Sequence, residues 1–265
     1  RGLHLPAHRG LREGGGVTIR EKNRRMTDME CRYERGRWPE ICFHTIYARP
    51  LGPRATVLDL GASSAAFSRH LARLYGCACH AVEALPQNFA LIAETPMVHR
   101  HLFAVGATDG PVELHSVAGE FSSGALDLAP GQTATETVRV PGTTLAGMLA
   151  RLGLAQVDLL KVDIEGAEYA MFDAADDATL GRCAQITVEF HDFMDPSQKS
   201  AVRRVIERMK RLGFWPIKFT GRHHGDVLFL DPVRTGISRA EYEYARLFLR
   251  YARAGRRIAV RTLRL

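Results

Sequence analysis

Residues 157–172 read VDLLKVDIEGAEYAMF, an apolar run that passes directly into a cluster of acids. A continuous apolar run predicts a strand that is buried on both faces of a parallel sheet. In such folds the ligand site lies at the carboxyl ends of the strands, where an uncompensated carboxylate is costly. We therefore assign Asp163, at the end of this strand, to a functional site. For Glu165 and Glu168 the alternative is that they open the next helix, where negative charge is favourable.

A second unit, TVLDLGASSAAFSRHLARLYG at 56–76, predicts a strand, a turn of small residues and a helix that stops at Gly76. Such a turn lets a ligand approach the backbone and the N–H groups that open the helix. The next strand, 77–82, leads into Glu83. An acid at this place accepts hydrogen bonds from both hydroxyls of a ribose. The unit therefore predicts a nucleoside cofactor.

The residues of the turn indicate which cofactor this is. A dinucleotide fingerprint needs glycine where a pyrophosphate must fit, and here Ser63 and Ala66 occupy those positions. Asp59, just before the turn, would repel phosphate and suits a cationic ligand. The pattern fits S-adenosyl-L-methionine better than NAD. The predicted cofactor-binding residues are Asp59, Gly61, Ala62, Ser63, Ser64, Glu83 and, near the adenine, Asp109.

Seven segments resemble those of FkbM-type methyltransferases in the same order, across roughly residues 55–231. They are DLGASSAAFS (59–68), VEALPQNFALI (82–92), FAVGATDGPVELH (103–115), TTLAGML (143–149), LLKVDIEGAE (159–168), TVEFHDF (187–193) and GDVLFL (225–230). The resemblance implies the fold of the class I S-adenosylmethionine-dependent methyltransferases. It also implies an enzyme that methylates a hydroxyl of a sugar, glycan or natural product. The family usually has Asn and Gly where this chain has Ser63 and Ala65, and Asp where it has Ala146.

A second polar strand end supplies the other half of the predicted site. The strand predicted over 185–191 places Glu189 and His191 on one face, because strand side chains alternate. It should lie beside the strand that ends in Asp163, so both would face one cleft. We predict that Asp163 and His191, supported by Glu165 and Glu189, form the acceptor end, with His191 as the base. Paired acids and a histidine could also hold a divalent metal, although no ligand set is assigned.

Composition and charge are those of a globular protein. The chain has 265 residues, of which 46% are hydrophobic and 25% charged, and no apolar stretch approaches the ~20 residues that span a bilayer. We therefore expect a cytoplasmic protein without a transmembrane segment. Net charge is +6 over 1–55, −11 over 56–198 and +12 over 199–265. The basic ends could dock on an acidic partner or a membrane surface, or simply be solvated; the absence of a recognition motif disfavours nucleic acid.

The remaining cysteines and histidines receive structural interpretations. Cys77 and Cys79 stand beside His80 with metal-like C-x-C spacing, but buried strand thiols explain them better. A structural role is predicted for His70, His99 and His101. For His223 and His224 a solvated turn is favoured over a contact with the substrate.

The predicted architecture is α/β: a doubly wound, Rossmann-like class I methyltransferase with a mainly parallel sheet and an antiparallel edge strand. An extension (1–54) with a mobile start and a helix over 31–52 precedes the catalytic domain (55–233), which carries inserted strands between 110 and 142. A basic helical tail (234–265) follows, with Tyr244, Leu247, Phe248 and Tyr251 as its apolar face. This face is expected to pack on the acidic core or on a second subunit, which would make a homo-oligomer.

Two competing functions remain open. One is an inactive, nucleoside-binding interaction module of the same fold, motivated by Ser63, Ala65 and Ala146. The other is an enzyme that uses NAD or a nucleotide sugar, which the missing pyrophosphate glycines disfavour.

Overall fold

The computed structural model describes residues 36–117, 120–122, 136–193, 196–221, 223–253 and 255. The strands in these ranges are β1 (Glu40–Ile41), β2 (His44–Thr45), β3 (Thr56–Leu60), β4 (Ala78–Glu83), β5 (Val98–Leu102), β6 (Ala104–Gly106), β7 (Gly110–Val117), β8 (Glu120–Ser122), β9 (Glu136–Thr144), β10 (Leu159–Val162), β11 (Gln185–Val188), β12 (Trp215–Lys218) and β13 (Val227–Leu230). The α-helices are α1 (Ala66–Tyr75), α2 (Pro86–Phe89), α3 (Leu145–Arg151), α4 (Glu168–Ala174), α5 (Asp177–Leu180), α6 (Lys199–Arg211), α7 (Pro232–Thr235) and α8 (Arg239–Tyr244).

Seven of the described strands form a central sheet in the order β12-β13-β11-β10-β3-β4-β5. The strands from β11 to β5 run parallel, and β13 pairs antiparallel with both β11 and β12. This doubly wound order confirms the predicted Rossmann-like α/β class. The antiparallel strand lies one position inside the edge, because β12 pairs on its outer side.

The sheet is buried on both faces, which is why its central strands read as continuous apolar runs. Every residue of β10, β11 and β13 is buried. One face packs Leu58, Leu60 and Val162 against α4 and α6, and the other packs Val57 and Leu159 against α1. Each fully buried Leu or Val side chain contributes about 1.5–3 kcal/mol to folding. This core fixes the strand ends that carry the polar residues.

The helix predicted over 31–52 is wrong in its described part, which contains the hairpin β1–β2. Cys42 and Phe43 link the two strands with φ of 46° and 66°. Two consecutive left-handed residues make the tight turn that suits a hairpin and that no α-helix contains. Thr45 fastens the hairpin to the central sheet by donating its N–H and its hydroxyl to Asp226 at 3.1 and 2.8 Å.

The inserted strands form a second sheet, ordered β6-β9-β7-β8 among the described residues. The predicted pair of inserted strands is present as β7 and β9, which run antiparallel with Gly110 opposite Gly142. One strand predicted over 101–106 is divided into β5, which belongs to the central sheet, and β6, which belongs to this one. The chain thus changes sheets at Phe103, next to the candidate site.

The basic tail begins as predicted and then departs from the predicted face. Ser238 and Glu241 form a capping box at the start of α8. Residues Ala245–Leu249 continue it as a π-helix, which shifts the helical register. In consequence Tyr242 and Ala245 face the core, whereas the residues predicted to pack there are exposed: Tyr244, Leu247, Phe248 and Tyr251. Arg253 is buried and donates hydrogen bonds to Thr45 Oγ1 and to the carbonyl oxygen of Trp38.

Nowhere in the ranges described is there a helix long and apolar enough to cross a membrane.

Candidate active site

The turn between β3 and α1 is held between two strand ends. Gly61 (φ 73°) and Ala62 both donate their N–H groups to the carbonyl oxygen of Val82, at 3.0 Å each. A Cβ atom on Gly61 would lie 1.7 Å from the carbonyl oxygen of Asp163. The glycine is therefore required by both its left-handed backbone and its contact with the end of β10.

The two departures from the family pattern in this turn fall on left-handed residues. Ser63 has φ of 50° and Ala65 has φ of 56°. Asn and Gly, the residues usual at these places in the family, are the ones that adopt this conformation most readily. This chain forms its left-handed turn with residues that carry a Cβ atom, at a cost on the order of 1–2 kcal/mol each.

Glu83, at the end of β4, clamps the turn from the other side. Its Oε2 accepts a hydrogen bond from the Ser63 N–H at 2.7 Å, and its Oε1 accepts one from the Leu85 N–H at 2.9 Å. Burial raises the pKa of this carboxyl, and the two backbone donors oppose that rise. Carboxylate oxygens accept more than one hydrogen bond each, so Glu83 retains lone pairs for a ligand.

A cavity of about 170 Å³ opens beside these residues. The turn after β3, the end of β4, β6 and the residues that follow β10 all contribute to its wall. Its lining residues are Gly61, Ser63, Val82, Glu83, Ala84, Leu85, Asn88, Phe103, Ala104, Val105, Asp163, Ile164 and Glu165. The cavity therefore joins the predicted cofactor end to the predicted acceptor end.

Two predicted cofactor residues lie elsewhere. Asp59 is fully buried behind the turn, where it accepts a hydrogen bond from Ser68 Oγ at 2.7 Å and lies 3.3 Å from Lys161 Nζ. Asp109 is exposed and accepts hydrogen bonds from Thr143 Oγ1 at 2.8 Å and from the Thr144 N–H at 3.2 Å, so it braces the start of α3. Neither residue lines the cavity, and nor do Ala62 and Ser64.

Lys161 connects the two halves of the site, and sequence reasoning missed its role. Its ammonium group donates to the carbonyl oxygen of Gly61 at 2.7 Å and lies 3.4 Å from Asp163 Oδ2. Burial acts to lower the pKa of Lys161, but Asp59 and Asp163 raise it above its ordinary value. The buried side chain thus stays charged. The sequence feature that could have indicated this role is a single lysine within an otherwise apolar strand.

Asp163 lies immediately after β10 and is surrounded by cationic or proton-carrying groups. Besides Lys161, its Oδ2 lies 3.6 Å from His44 Nε2, and its Oδ1 lies 3.9 Å from His191 Nε2. Burial acts to raise the pKa of Asp163, yet Lys161 and His44 hold it far below its usual range. Asp163 is therefore a permanent carboxylate at the end of the cavity.

His191 lies beyond the end of β11 rather than within it, and two carboxylates hold it. Its Nδ1 lies 3.1 Å from Glu168 Oε1, and its Nε2 lies 3.2 Å from Glu165 Oε2. Although burial opposes the charge, hydrogen bonds to Glu165 and Glu168 raise the pKa of His191 to about 11. An imidazolium has no free lone pair to accept a proton, so this electrostatic environment is at odds with the predicted role as a base.

Glu168 has the structural role that was the alternative for it. It is fully buried at the start of α4, and its carboxylate accepts hydrogen bonds from the N–H groups of Ile164 and Gly166 at 3.1 Å. Glu165, by contrast, keeps 55% of its side chain exposed and lines the cavity. Of the two acids, Glu165 is the one in reach of a ligand.

Glu189 is a half-buried carboxyl beside Asp163. Ligand atoms of Glu189, Asp163 and His44 all lie within 4.8 Å of one another. Burial and the negative charge of Asp163 raise the pKa of Glu189 to about 7, while His44 and His191 oppose the rise. This carboxyl therefore exchanges its proton near neutral pH.

His44 is the second residue that sequence reasoning missed. It extends from β2 into the centre of the site, where its Nδ1 lies 3.2 Å from Thr187 Oγ1 and its ring is almost completely buried. The predicted helix over 31–52 gave no reason to place it at the end of the sheet. Only the hairpin geometry does so.

Two sets of side chains have the composition of a cation site: His44, Asp163 and Glu189, and Asp163, Glu165 and His191. Among the described residues the buried His44 Nε2 has no hydrogen-bond partner, and Asp163 Oδ2 lies 3.6 Å away, which is compatible with a ligand. However, Lys161 and the charged His191 already compensate Asp163. A divalent ion would have to share the Asp163 carboxylate with these two cations. Lys161 and His191 therefore already supply the positive charge that a metal would bring to this carboxylate.

His223 and His224 lie at the edge of the site. The imidazole and the N–H of His224 both bind the buried carboxylate of Asp192 at 2.8 Å, which is a structural role. Phe193, 47% exposed, lies between the rings of His191 and His223, with centroids 5.3 Å from each. An exposed aromatic ring at this place can contact an acceptor.

The doubly wound order of the central sheet, with a turn of small residues after β3, defines a Rossmann-like α/β protein. Residues 56–215 match the family described as the methyltransferase FkbM domain. This match covers more than half of the chain, which therefore belongs to the FkbM methyltransferase family, as its motifs predicted.

Other similarities are partial. A 67-residue segment is 34% identical to the AMB antimetabolite synthetase AmbE of Pseudomonas aeruginosa, covering 25% of this chain and 3% of that protein. The chain thus spans a very small part of the length of this relative. The crystal structure of precorrin-6y C5,15-methyltransferase from Geobacter metallireducens GS-15 aligns with 80% of this chain and 87% of its own, at 14% identity and a TM-score of 0.35.

Proposed function

We propose that the protein transfers a methyl group from S-adenosyl-L-methionine to a hydroxyl oxygen of a sugar, glycan or natural product. The observation that carries this proposal is that the small-residue turn, Glu83, Asp163 and Glu165 all line one cavity. Family membership supports methyl transfer, and the cavity supports the assignment of the two substrate ends.

At the cofactor end, the remaining lone pairs of Glu83 would accept the ribose hydroxyls. Its hydrogen bonds to the N–H groups of Ser63 and Leu85 fix the carboxylate in place before the ligand arrives. Asp59 contributes indirectly, because it holds the Lys161 ammonium that in turn bonds to the carbonyl oxygen of Gly61. Asp59 and Lys161 are thus positioning residues.

At the acceptor end, the pKa favours Glu189 as the base; Glu189 lies beside Asp163, which lines the cavity, but does not itself line it. Asp163 is too acidic and His191 too basic to take a proton near neutral pH, whereas the pKa of Glu189 is about 7. Efficient general bases have pKa values close to the operating pH. Bound S-adenosyl-L-methionine would supply the methyl carbon to the acceptor oxygen, with its sulfur as the leaving group that keeps the bonding electrons. Glu189 would take the hydroxyl proton.

Asp163 and Glu165 supply negative charge beside the cationic sulfonium and acceptors for other hydroxyls of the substrate. His191 holds Glu165 in position from Nε2 and is itself held by Glu168 from Nδ1. Holding the acceptor oxygen in line with the methyl carbon can account for much of the rate enhancement.

Calorimetric titration with S-adenosylhomocysteine and with NAD tests the cofactor assignment without knowledge of the acceptor. We expect binding of the former alone; binding of NAD alone would contradict the proposal. A screen of glycan and polyketide acceptors with radiolabelled methyl donor then tests transfer, and NMR of the product distinguishes O- from N- and C-methylation.

The inactive module stays the competing function, and the same two assays separate it. It predicts S-adenosylhomocysteine binding without transfer to any acceptor. Of the departures that motivate it, Ser63 and Ala65 still form the left-handed turn, and Ala146 is exposed in the first turn of α3, outside the cavity lining.

A further inference from the structure

Three histidines outside the candidate active site share one face of the central sheet. His99 and His101 are two residues apart in β5, so their side chains lie on the same face. The register places His80 of β4 opposite His99, on that face too. All three are half-buried, and β5 is the outermost strand of this sheet. The proposed methyl transfer uses none of them.

Two of these rings already have the separation of metal ligands. His80 Nδ1 lies 3.2 Å from His101 Nε2, and the two rings are stacked with centroids 5.3 Å apart. Two nitrogens bound to one tetrahedral ion at 2.0–2.1 Å are roughly 3.4 Å apart. The present contact is a hydrogen bond, and an ion that replaced it would need little change in the distance between these two nitrogens.

The third ring is adjacent and needs a rotation. The centroid of His99 lies 5.5 Å from that of His80. In the present rotamers the three rings do not each offer a nitrogen within 4.8 Å of the others. Coordination by all three rings therefore requires the His99 imidazole to turn toward the other two.

We propose that His80, His99 and His101 form a binding site for one divalent transition-metal ion of the Zn²⁺ type, with water as the fourth ligand. Three imidazoles without a carboxylate among them favour Zn²⁺, Ni²⁺ or Cu²⁺ over Mg²⁺ and Ca²⁺. Glu94, the acid that acts electrostatically on His101, lies within 3.9 Å of Arg100 and is largely exposed. The site is therefore chemically distinct from the carboxylate-rich cluster around Asp163.

A metal here would connect β4 and β5 close to the cavity. His80 is three residues before Glu83, and His101 is two residues before Phe103, and both Glu83 and Phe103 line the cavity. A bound ion would hold the ends of β4 and β5 together. Metal binding should therefore also raise the melting temperature of the protein.

The test is calorimetric titration of the full chain with Zn²⁺ and separately with Mg²⁺, without cofactor. The variant His99→Phe/His101→Phe keeps two aromatic rings but removes two ligands, and circular dichroism verifies its fold. We expect at least a tenfold loss of Zn²⁺ affinity in this variant, no effect of Mg²⁺ at this site, and a tetrahedral Co²⁺ absorption band that the variant lacks.

Two matched controls make the result specific. His70→Phe removes a histidine of α1 that hydrogen-bonds the carbonyl oxygen of Ala66, and it should leave Zn²⁺ affinity within about twofold of the parent, since it is not among the three ligands. His44→Phe removes the histidine of the Asp163 cluster and should likewise leave the Zn²⁺ affinity within about twofold of the parent. Unchanged affinity in the double variant, or loss of Zn²⁺ binding in His44→Phe instead, would overturn the proposal.

Discussion

Replacing Ser63 by glycine should stabilise the protein, because Ser63 holds a left-handed backbone at the centre of the candidate cofactor site. Its φ is 50° and its side chain is exposed. A left-handed residue with a Cβ costs roughly 1–2 kcal/mol. Glycine removes that cost but adds about 0.4–1 kcal/mol of chain entropy to the unfolded state. We therefore expect a net gain of about 0.5–1 kcal/mol.

The assay is thermal unfolding followed by circular dichroism. For a chain of this size, such a gain corresponds to a rise in melting temperature of about 1–4 °C. The matched control is Ser63→Ala, which removes the same hydroxyl but keeps the Cβ atom, so its melting temperature should stay near that of the parent. S-adenosylhomocysteine affinity should be retained in both variants, because the Ser63 N–H that donates to Glu83 Oε2 is unchanged.

Two results would refute this reasoning. If Ser63→Gly and Ser63→Ala change the melting temperature equally, the Cβ atom is not the source of strain. If Ser63→Gly lowers it, the turn does not hold the left-handed conformation in solution.

Three further changes test the site. Glu83→Gln should weaken the binding of S-adenosylhomocysteine at least tenfold by calorimetry, because charge-assisted hydrogen bonds contribute roughly 1.5–3 kcal/mol each. The control is Glu94→Gln, a change at an exposed residue. Equal affinities of the two variants would reject the ribose assignment. Once an acceptor is known, turnover should rise with pH through about 7 as Glu189 loses its proton. Glu189→Gln should remove this rise and cut turnover by about 10²–10⁴-fold. If the pH profile of the variant still rises, the base is another residue. Lys161→Met should lower the free energy of unfolding in urea by about 3–5 kcal/mol, since it leaves buried Asp59 without its cation; a loss below about 1 kcal/mol would contradict the buried ion pair.

The parts of the fold that sequence predicted are those encoded locally. The units β3–turn–α1–β4 and β10–Asp163 each place an apolar run, a turn and a polar residue within about 30 residues. Their strand ends meet because neighbouring parallel strands share an edge, which follows from the fold class alone. Gly61, Ser63, Glu83, Asp163 and Glu165 accordingly line one cavity.

The parts that sequence missed depend on contacts between distant segments. His44 reaches Asp163 only because the β1–β2 hairpin docks on Asp226, which is 181 residues from Thr45. Asp59 lies beside Lys161 because β3 and β10 pair in a register that places these two residues opposite each other. Propensity and periodicity carry no information on such pairings, so a buried ion pair was interpreted as a ligand contact.

The assignment of the base shows how strongly the environment can invert an expectation drawn from residue type. Histidine was favoured because its unperturbed pKa suits proton transfer. In the structure Glu165 and Glu168 surround His191 and move its pKa to about 11, while burial beside Asp163 moves that of Glu189 to about 7. Glu189 thus has a pKa near that of an ordinary histidine, and His191 one near that of a lysine. Since Lys161 and His44 keep Asp163 ionised, Glu189 is the group beside it whose proton affinity suits an alcohol acceptor, and His191 serves by holding the carboxylates that surround it.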